Sequence, residues 1–129
     1  MPLVSISICK GRSQQEKKAI MNITHSALVE CFRTPDSDRN QRIIEIEPEN
    51  FEFSEGRTKN FTIIEMAVFP GRSYEAKKKL YQTIVKNLGD LNIQPNDVLV
   101  VLREPLLENW GIRSGLPASE VDMGYKLDV

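Results

Sequence analysis

Histidine and tryptophan each occur once in these 129 residues, and cysteine only twice. One histidine, His25, cannot build a histidine-based metal site, and Cys9 and Cys31 have neither metal-ligand spacing nor the number needed for a disulfide framework. So little cysteine suits a reduced, cytoplasmic protein. No apolar run approaches the roughly 18 residues of a membrane-spanning helix, and no charged segment leads into a short apolar stretch as in a secretory signal. The formal charge is -1, from 17 basic and 18 acidic residues, so the chain lacks the basic footprint of a nucleic-acid binder. What remains is a length suited to a single domain, residues 1–129, with a real core.

The chain has an informative beginning. Pro2 follows the initiator methionine and opens an alternating strand, Pro2-Leu3-Val4-Ser5-Ile6-Ser7-Ile8-Cys9. A small second residue favours removal of Met1, and the processed chain would begin with a secondary amine. Its direction is set by the ring, which locks φ. With Met1 retained, the Pro2 nitrogen is an amide and has no base chemistry.

A second feature is an internal repeat at a shift of 60 residues. Gly11-Arg12-Ser13 returns as Gly71-Arg72-Ser73, Lys17-Lys18 as Lys77-Lys78, and Pro35 as Pro95. The stretches before the two Gly-Arg-Ser strings are both apolar in character, so each copy reads as one supersecondary unit. Residues 3 to 9 form a strand. Ser13 caps a helix, with Glu16 completing a capping box, and Ile20, Thr24, Ala27, Leu28 and Cys31 share one face as far as about Phe32. Pro35-Asp36-Ser37 breaks it, and Ile43 to Ile46 extends again. In the second copy, Phe61 to Phe69 is the strand, Ser73 caps a helix ending near Gly89, and Val98 to Leu102 is a short apolar strand.

The expected fold is therefore α/β (α+β): two tandem βαβ units, about 2–47 and 61–103, forming a four-stranded mixed sheet with both helices on one face. Residues 104–129 form a tail of turns and small strands. The other sheet face needs cover, and the chain supplies no further long helix, so subunits are expected to associate.

The amino-terminal Pro2 on a strand, the two βαβ copies and several local strings resemble the tautomerase superfamily over nearly the whole chain. The pattern is closest to malonate semialdehyde decarboxylase and its relatives. The strings are Gly11-Arg12-Ser13, His25 within the first helix, Pro35-Asp36-Ser37-Asp38-Arg39-Asn40-Gln41, Arg72-Ser73, Ile93 to Val98, and Glu104 through Asn109-Trp110-Gly111. The resemblance implies a homotrimer, no cofactor or metal, a small carboxylate substrate, catalysis by Pro2, and a catalytic acid at Asp38. Nearby arginine and partial burial would lower the pKa of the amine, making it an effective base at a carbon next to a carbonyl. Arg72, at a strand-to-helix turn, would clamp a carboxylate and stabilise an enolate. Trp110 would wall the substrate.

Each residue also has a plainer reading. Asp38 suits a turn after Pro35, Arg72 a solvated helix start, His25 a satisfied helix histidine, Trp110 a core or interface side chain, and Arg39 and Gln41 structural ties. One departure from the decarboxylase pattern stands out: two arginines bracket a proline there, whereas this chain has Phe69-Pro70-Gly71-Arg72-Ser73, with Pro70 at the first arginine. Three readings follow. The first is a tautomerase of a 2-oxo or 2-hydroxydienoate acid. The second is a decarboxylase or hydratase of a malonate-semialdehyde-like 3-oxo acid using Pro2, Asp38 and Arg72. The third is a non-catalytic trimeric binding protein. Arg12, the repeat mate of Arg72, has no assigned place.

Overall fold

The computed structural model describes residues 1–129. Its main sheet has four strands, β1 (Leu3–Cys9), β2 (Gln41–Ile46), β3 (Thr62–Ala67) and β4 (Val98–Arg103), in the order β2-β1-β3-β4. Helix α1 (Gln14–Phe32) joins β1 to β2, and α2 (Tyr74–Leu88) precedes β4. The pairs β1–β2 and β3–β4 are parallel, while β1 and β3 are antiparallel. The two βαβ copies thus meet head to tail across the centre of the sheet. This is the expected α+β arrangement. In the tail, β5 (Gly111–Ile112) and β6 (Leu116–Pro117) form a small hairpin.

Local chemistry explains the helix ends. Ser13 accepts from the Glu16 amide, and the Glu16 side chain accepts from the Ser13 amide, so two otherwise orphaned donors are satisfied. Ser73 caps α2 through the amide of Ala76. The glycines ahead of both caps have positive φ, 132° at Gly11 and 129° at Gly71, a backbone shape that side chains oppose. At Gly71 space is also short, because a Cβ would lie 3.1 Å from the Leu127 carbonyl oxygen.

The alternate residues Val4, Ile6, Ile8, Ile64 and Met66 point at the helices and are almost wholly buried. They meet Ile20, Ala27, Leu28 and Phe32 of α1 and Leu80, Ile84 and Leu88 of α2 in one core. The open face is more mixed than the apolar run of β4 suggests. Leu99 and Val101 alternate outward, and the register aligns Ile44, Ser7, Ile63 and Leu99 in one row and Arg42, Ser5, Glu65 and Val101 in the next. The strand period of two splits β4 between the faces, so Val98, Val100 and Leu102 serve the helix side.

Buried Asp97 secures the loop before β3. Its carboxylate accepts from the Thr58 amide at 2.7 Å and the Thr58 hydroxyl at 2.6 Å. Asp97→Ala leaves both donors without their partner and will cost about 1–3 kcal/mol. Urea denaturation checks this, and an unchanged midpoint would show that other contacts hold the loop. No helix is long and apolar enough to cross a membrane.

Candidate active site

The topology brings three distant segments to the start of β1. Because β2 runs parallel to β1 with Val4 opposite Gln41, the loop before β2 lies beside the chain's first residues. The Val4 amide donates to Asn40 O at 2.9 Å. Because β3 runs antiparallel with Ala67 opposite Leu3, the turn after β3 passes the same point. The tail then crosses that turn: the Ser73 amide donates to Val129 O at 3.1 Å. Asp38, Arg72 and Tyr125 are thereby assembled around the amino end.

The Met1 ammonium lies 3.0 Å from Asp38 Oδ2 and donates to Tyr125 Oη at 2.8 Å. Pro2, next along the chain, is buried. The Met1 amine is held below its ordinary pKa, chiefly by burial and further by the charge of Arg72, against the opposing hydrogen bond and charge of Asp38. Tyr125 is pushed up, first by burial and then by Asp38, while Arg72 pulls the other way. A cavity of about 210 Å³ opens beside these groups, lined among others by Asp38, Phe69, Arg113, Met123 and Tyr125.

Arg72 is 7% exposed. Its guanidinium donates to Phe69 O at 3.1 Å and Phe32 O at 3.0 Å, and lies 4.9 Å over the Phe32 ring. Its Nε–H is buried without a partner. Burial lowers its pKa, with Tyr125 and Glu104 opposing. Arg72 is thus neither a solvated helix-start cation nor a freely swinging one: it ties α1 to the β3–α2 turn and sets a fixed charge behind Tyr125. Trp110 packs edge-to-face on Phe69 with ring centroids 5.0 Å apart and donates to Pro105 O at 3.2 Å. It supports the wall that Phe69 presents to the cavity.

Arg12 does not join the site. It follows the far end of β1, a seven-residue strand that spans roughly 20 Å, and contacts Glu16 and Asn60 at 3.1 Å each. His25 is also outside. It is nearly buried, with Nε2 3.2 Å from Asp36 Oδ1 and Nδ1 unpartnered, so only one of its nitrogens is satisfied. Gln41 and Arg39 tie the Asp38 loop to α1, through Met21 O at 2.9 Å and Asn22 Oδ1 at 2.8 Å. Sequence reasoning passed over Tyr125 and Arg113. No local signal marks a tail tyrosine. Nor does one mark Arg113, which with Ser114 takes positive φ (45° and 65°) only as part of the folded three-residue hairpin loop. No three His, Cys, Asp or Glu side chains gather as metal ligands would.

Two family models described as tautomerase enzyme match residues 38–113 and 2–57. The chain is 30% identical over 122 residues to "Probable tautomerase YrdN" of Bacillus subtilis (strain 168), covering 89% of this chain and 93% of that protein. It resembles a crystal structure of malonate semialdehyde decarboxylase with a TM-score of 0.82 and 26% identity, covering 89% of this chain and 93% of that one. Native fused 4-OT shares the fold at a TM-score of 0.83 and 16% identity, covering 95% and 99%.

Proposed function

Because the chain belongs to the tautomerase family, we propose that residues 1–129 act as a single cytoplasmic, cofactor-independent tautomerase domain on a small 2-oxo or 2-hydroxydienoate acid, with Pro2 as base once Met1 is removed. The observation that carries this reading is the meeting of the amino end with Asp38 and Arg72 at the start of β1. The Pro2 amine, whose charged form is disfavoured by burial and by the nearby charge of Arg72, takes a proton from the carbon next to the substrate carbonyl. The C–H electrons form the C=C bond, and the carbonyl π pair moves to oxygen. The Arg72 charge stabilises that enolate and draws the substrate carboxylate inward. Protonated Pro2 then returns the proton to another carbon. Trp110 serves substrate binding by holding Phe69 in place. The test is deuterium incorporation into an enolisable 2-oxo acid by a chain whose intact mass shows Met1 removed; no exchange would sink the reading.

A second reading has one observation in its favour. Asp38, 3.0 Å from the Met1 amine one residue before Pro2, stands where an acid for decarboxylation or hydration of a 3-oxo acid would be needed. Pro70, standing at the first arginine of the decarboxylase pattern, weighs against it. Under the tautomerase reading Asp38→Asn slows 2-oxo acid turnover by less than about tenfold, since Pro2 alone shuttles the proton. The same change is expected to move the acid limb of the pH–rate profile to lower pH, because a carboxylate beside the amino end raises an amine pKa, as Asp38 does for the Met1 ammonium. Robust release of carbon dioxide from a 3-oxo acid, lost in Asp38→Asn as fully as on replacing Pro2, would overturn the choice.

A homotrimer fits the exposed row on the open sheet face, where Ile44 and Leu99 are 41% and 37% accessible. Fused 4-OT structures of the same fold are trimers. Light scattering should give three times the 14.7 kDa chain mass; a stable monomer at micromolar concentration rules this out.

A further inference from the structure

We propose that Tyr125, delivered by the carboxy-terminal tail, donates the hydrogen bond that the substrate's carbonyl oxygen needs as it becomes an enolate. The inference rests on the tautomerase reading and adds a residue to it.

The geometry starts from the Met1 nitrogen. It lies 2.8 Å from Tyr125 Oη and 3.0 Å from Asp38 Oδ2. Three covalent bonds separate it from the Pro2 nitrogen, and standard backbone dimensions keep the two within about 3.7 Å. In the 2.8 Å contact the Tyr125 oxygen accepts from the ammonium; once Met1 is removed, the phenol O–H is free to donate to a substrate oxygen on its side of the cavity beside Pro2. Tyr125 reaches that point directly. Arg72 reaches it through charge: both of its outer nitrogens donate to main-chain carbonyls, and its Nε–H is buried. A phenol backed by a fixed guanidinium is a strong neutral donor, and burial holds it protonated above its ordinary range.

Tyr125 is positioned by the fold rather than by its neighbours in sequence. The tail binds across the Gly71-Arg72-Ser73 turn, with Val129 O accepting from Ser73 and Leu127 packed where a Cβ on residue 71 would sit. This supplies a reason for glycine at position 71 beyond its positive φ of 129°. In the proton transfer, the C–H pair becomes the C=C bond while the carbonyl π pair moves to oxygen. That oxygen accepts from the Tyr125 hydroxyl, whose O–H bond stays intact.

The test compares the full chain, processed to Pro2, with Tyr125→Phe. Deuterium exchange on an enolisable 2-oxo acid measures turnover. Calorimetric binding of oxalate, a planar enolate mimic, measures the site without turnover. Tyr125→Phe is expected to lower kcat at least about tenfold, with a smaller change in KM, and to weaken oxalate about tenfold, the scale of one lost hydrogen bond to a charged group. Turnover and oxalate affinity both within twofold of the unmodified chain would overturn the proposal while leaving the tautomerase reading standing. Weaker oxalate binding in the variant, with no exchange by either chain, would retain Tyr125 as anion donor and reject the reaction. A processed chain that neither exchanges nor binds oxalate overturns both.

Discussion

A chain that keeps Met1 will catalyse no proton transfer, and Pro2→Ala in the processed chain will lose between roughly ten- and a thousandfold, within reach of the ~10²–10⁴ of a positioned base. The two results have different causes. With Met1 present, the Pro2 nitrogen is an amide whose lone pair is delocalised into the carbonyl. The Met1 ammonium also occupies the point between Asp38 and Tyr125. Alanine restores a free amine at the same position, but a primary one without the ring that fixes its direction. Asp38 and Arg72 still act on it, so partial activity survives. Intact-mass spectrometry of each preparation, paired with deuterium exchange, reads the outcome directly. Full activity in a chain shown to retain Met1 would end the proline mechanism.

Arg72→Ala will damage stability and catalysis together. The guanidinium donates to Phe69 O and Phe32 O from a site only 7% exposed, and alanine leaves both carbonyls without that partner. Each lost charge-assisted bond is worth about 1.5–3 kcal/mol, partly offset because a buried cation no longer needs accommodation. A net loss of roughly 2–4 kcal/mol follows, or about 3–5 °C in Tm per kcal/mol for a chain of this size. On the proposed mechanism, turnover measured at a temperature where the variant is folded should fall about ten- to hundredfold, because no fixed charge would then face the enolate. The acid limb of the pH–rate profile should move to higher pH, since the Arg72 charge lowers the pKa of an amine at this end of the chain, as it does for Met1, and its removal lets the Pro2 amine hold its proton longer. Arg72→Lys keeps the charge but not the fork that spans two carbonyls, so it should recover the pH profile better than the Tm. An alanine variant with unchanged Tm and turnover would show that Arg72 serves neither purpose.

Much of the fold was legible along the chain. The Ser13–Glu16 capping box, the buried face of α1 at Ile20, Thr24, Ala27, Leu28 and Cys31, and the 60-residue repeat all hold in three dimensions. The open face was less legible. A short apolar strand such as Val98 to Leu102 reads the same whether one or both of its sides are covered, and only the neighbouring strands Leu3–Cys9, Gln41–Ile46 and Thr62–Ala67 show that its outer row is mixed.

By itself the sequence determined the helix caps, the strand period, the two-copy architecture and the tautomerase resemblance, because each depends on residues near one another or on a constant spacing. Only the tertiary structure decided which residues share a site. Arg12 and Arg72 sit in matching turns of matching units, yet one lies at the far end of the sheet and the other beside the amino terminus. The difference comes from the antiparallel register of β1 and β3, which places Ala67 against Leu3. Tyr125 enters by an equally non-local route, through a tail laid across Gly71. Caps and periods are written in nearest-neighbour chemistry, whereas strand register and tail docking are chosen by the packing of the whole core.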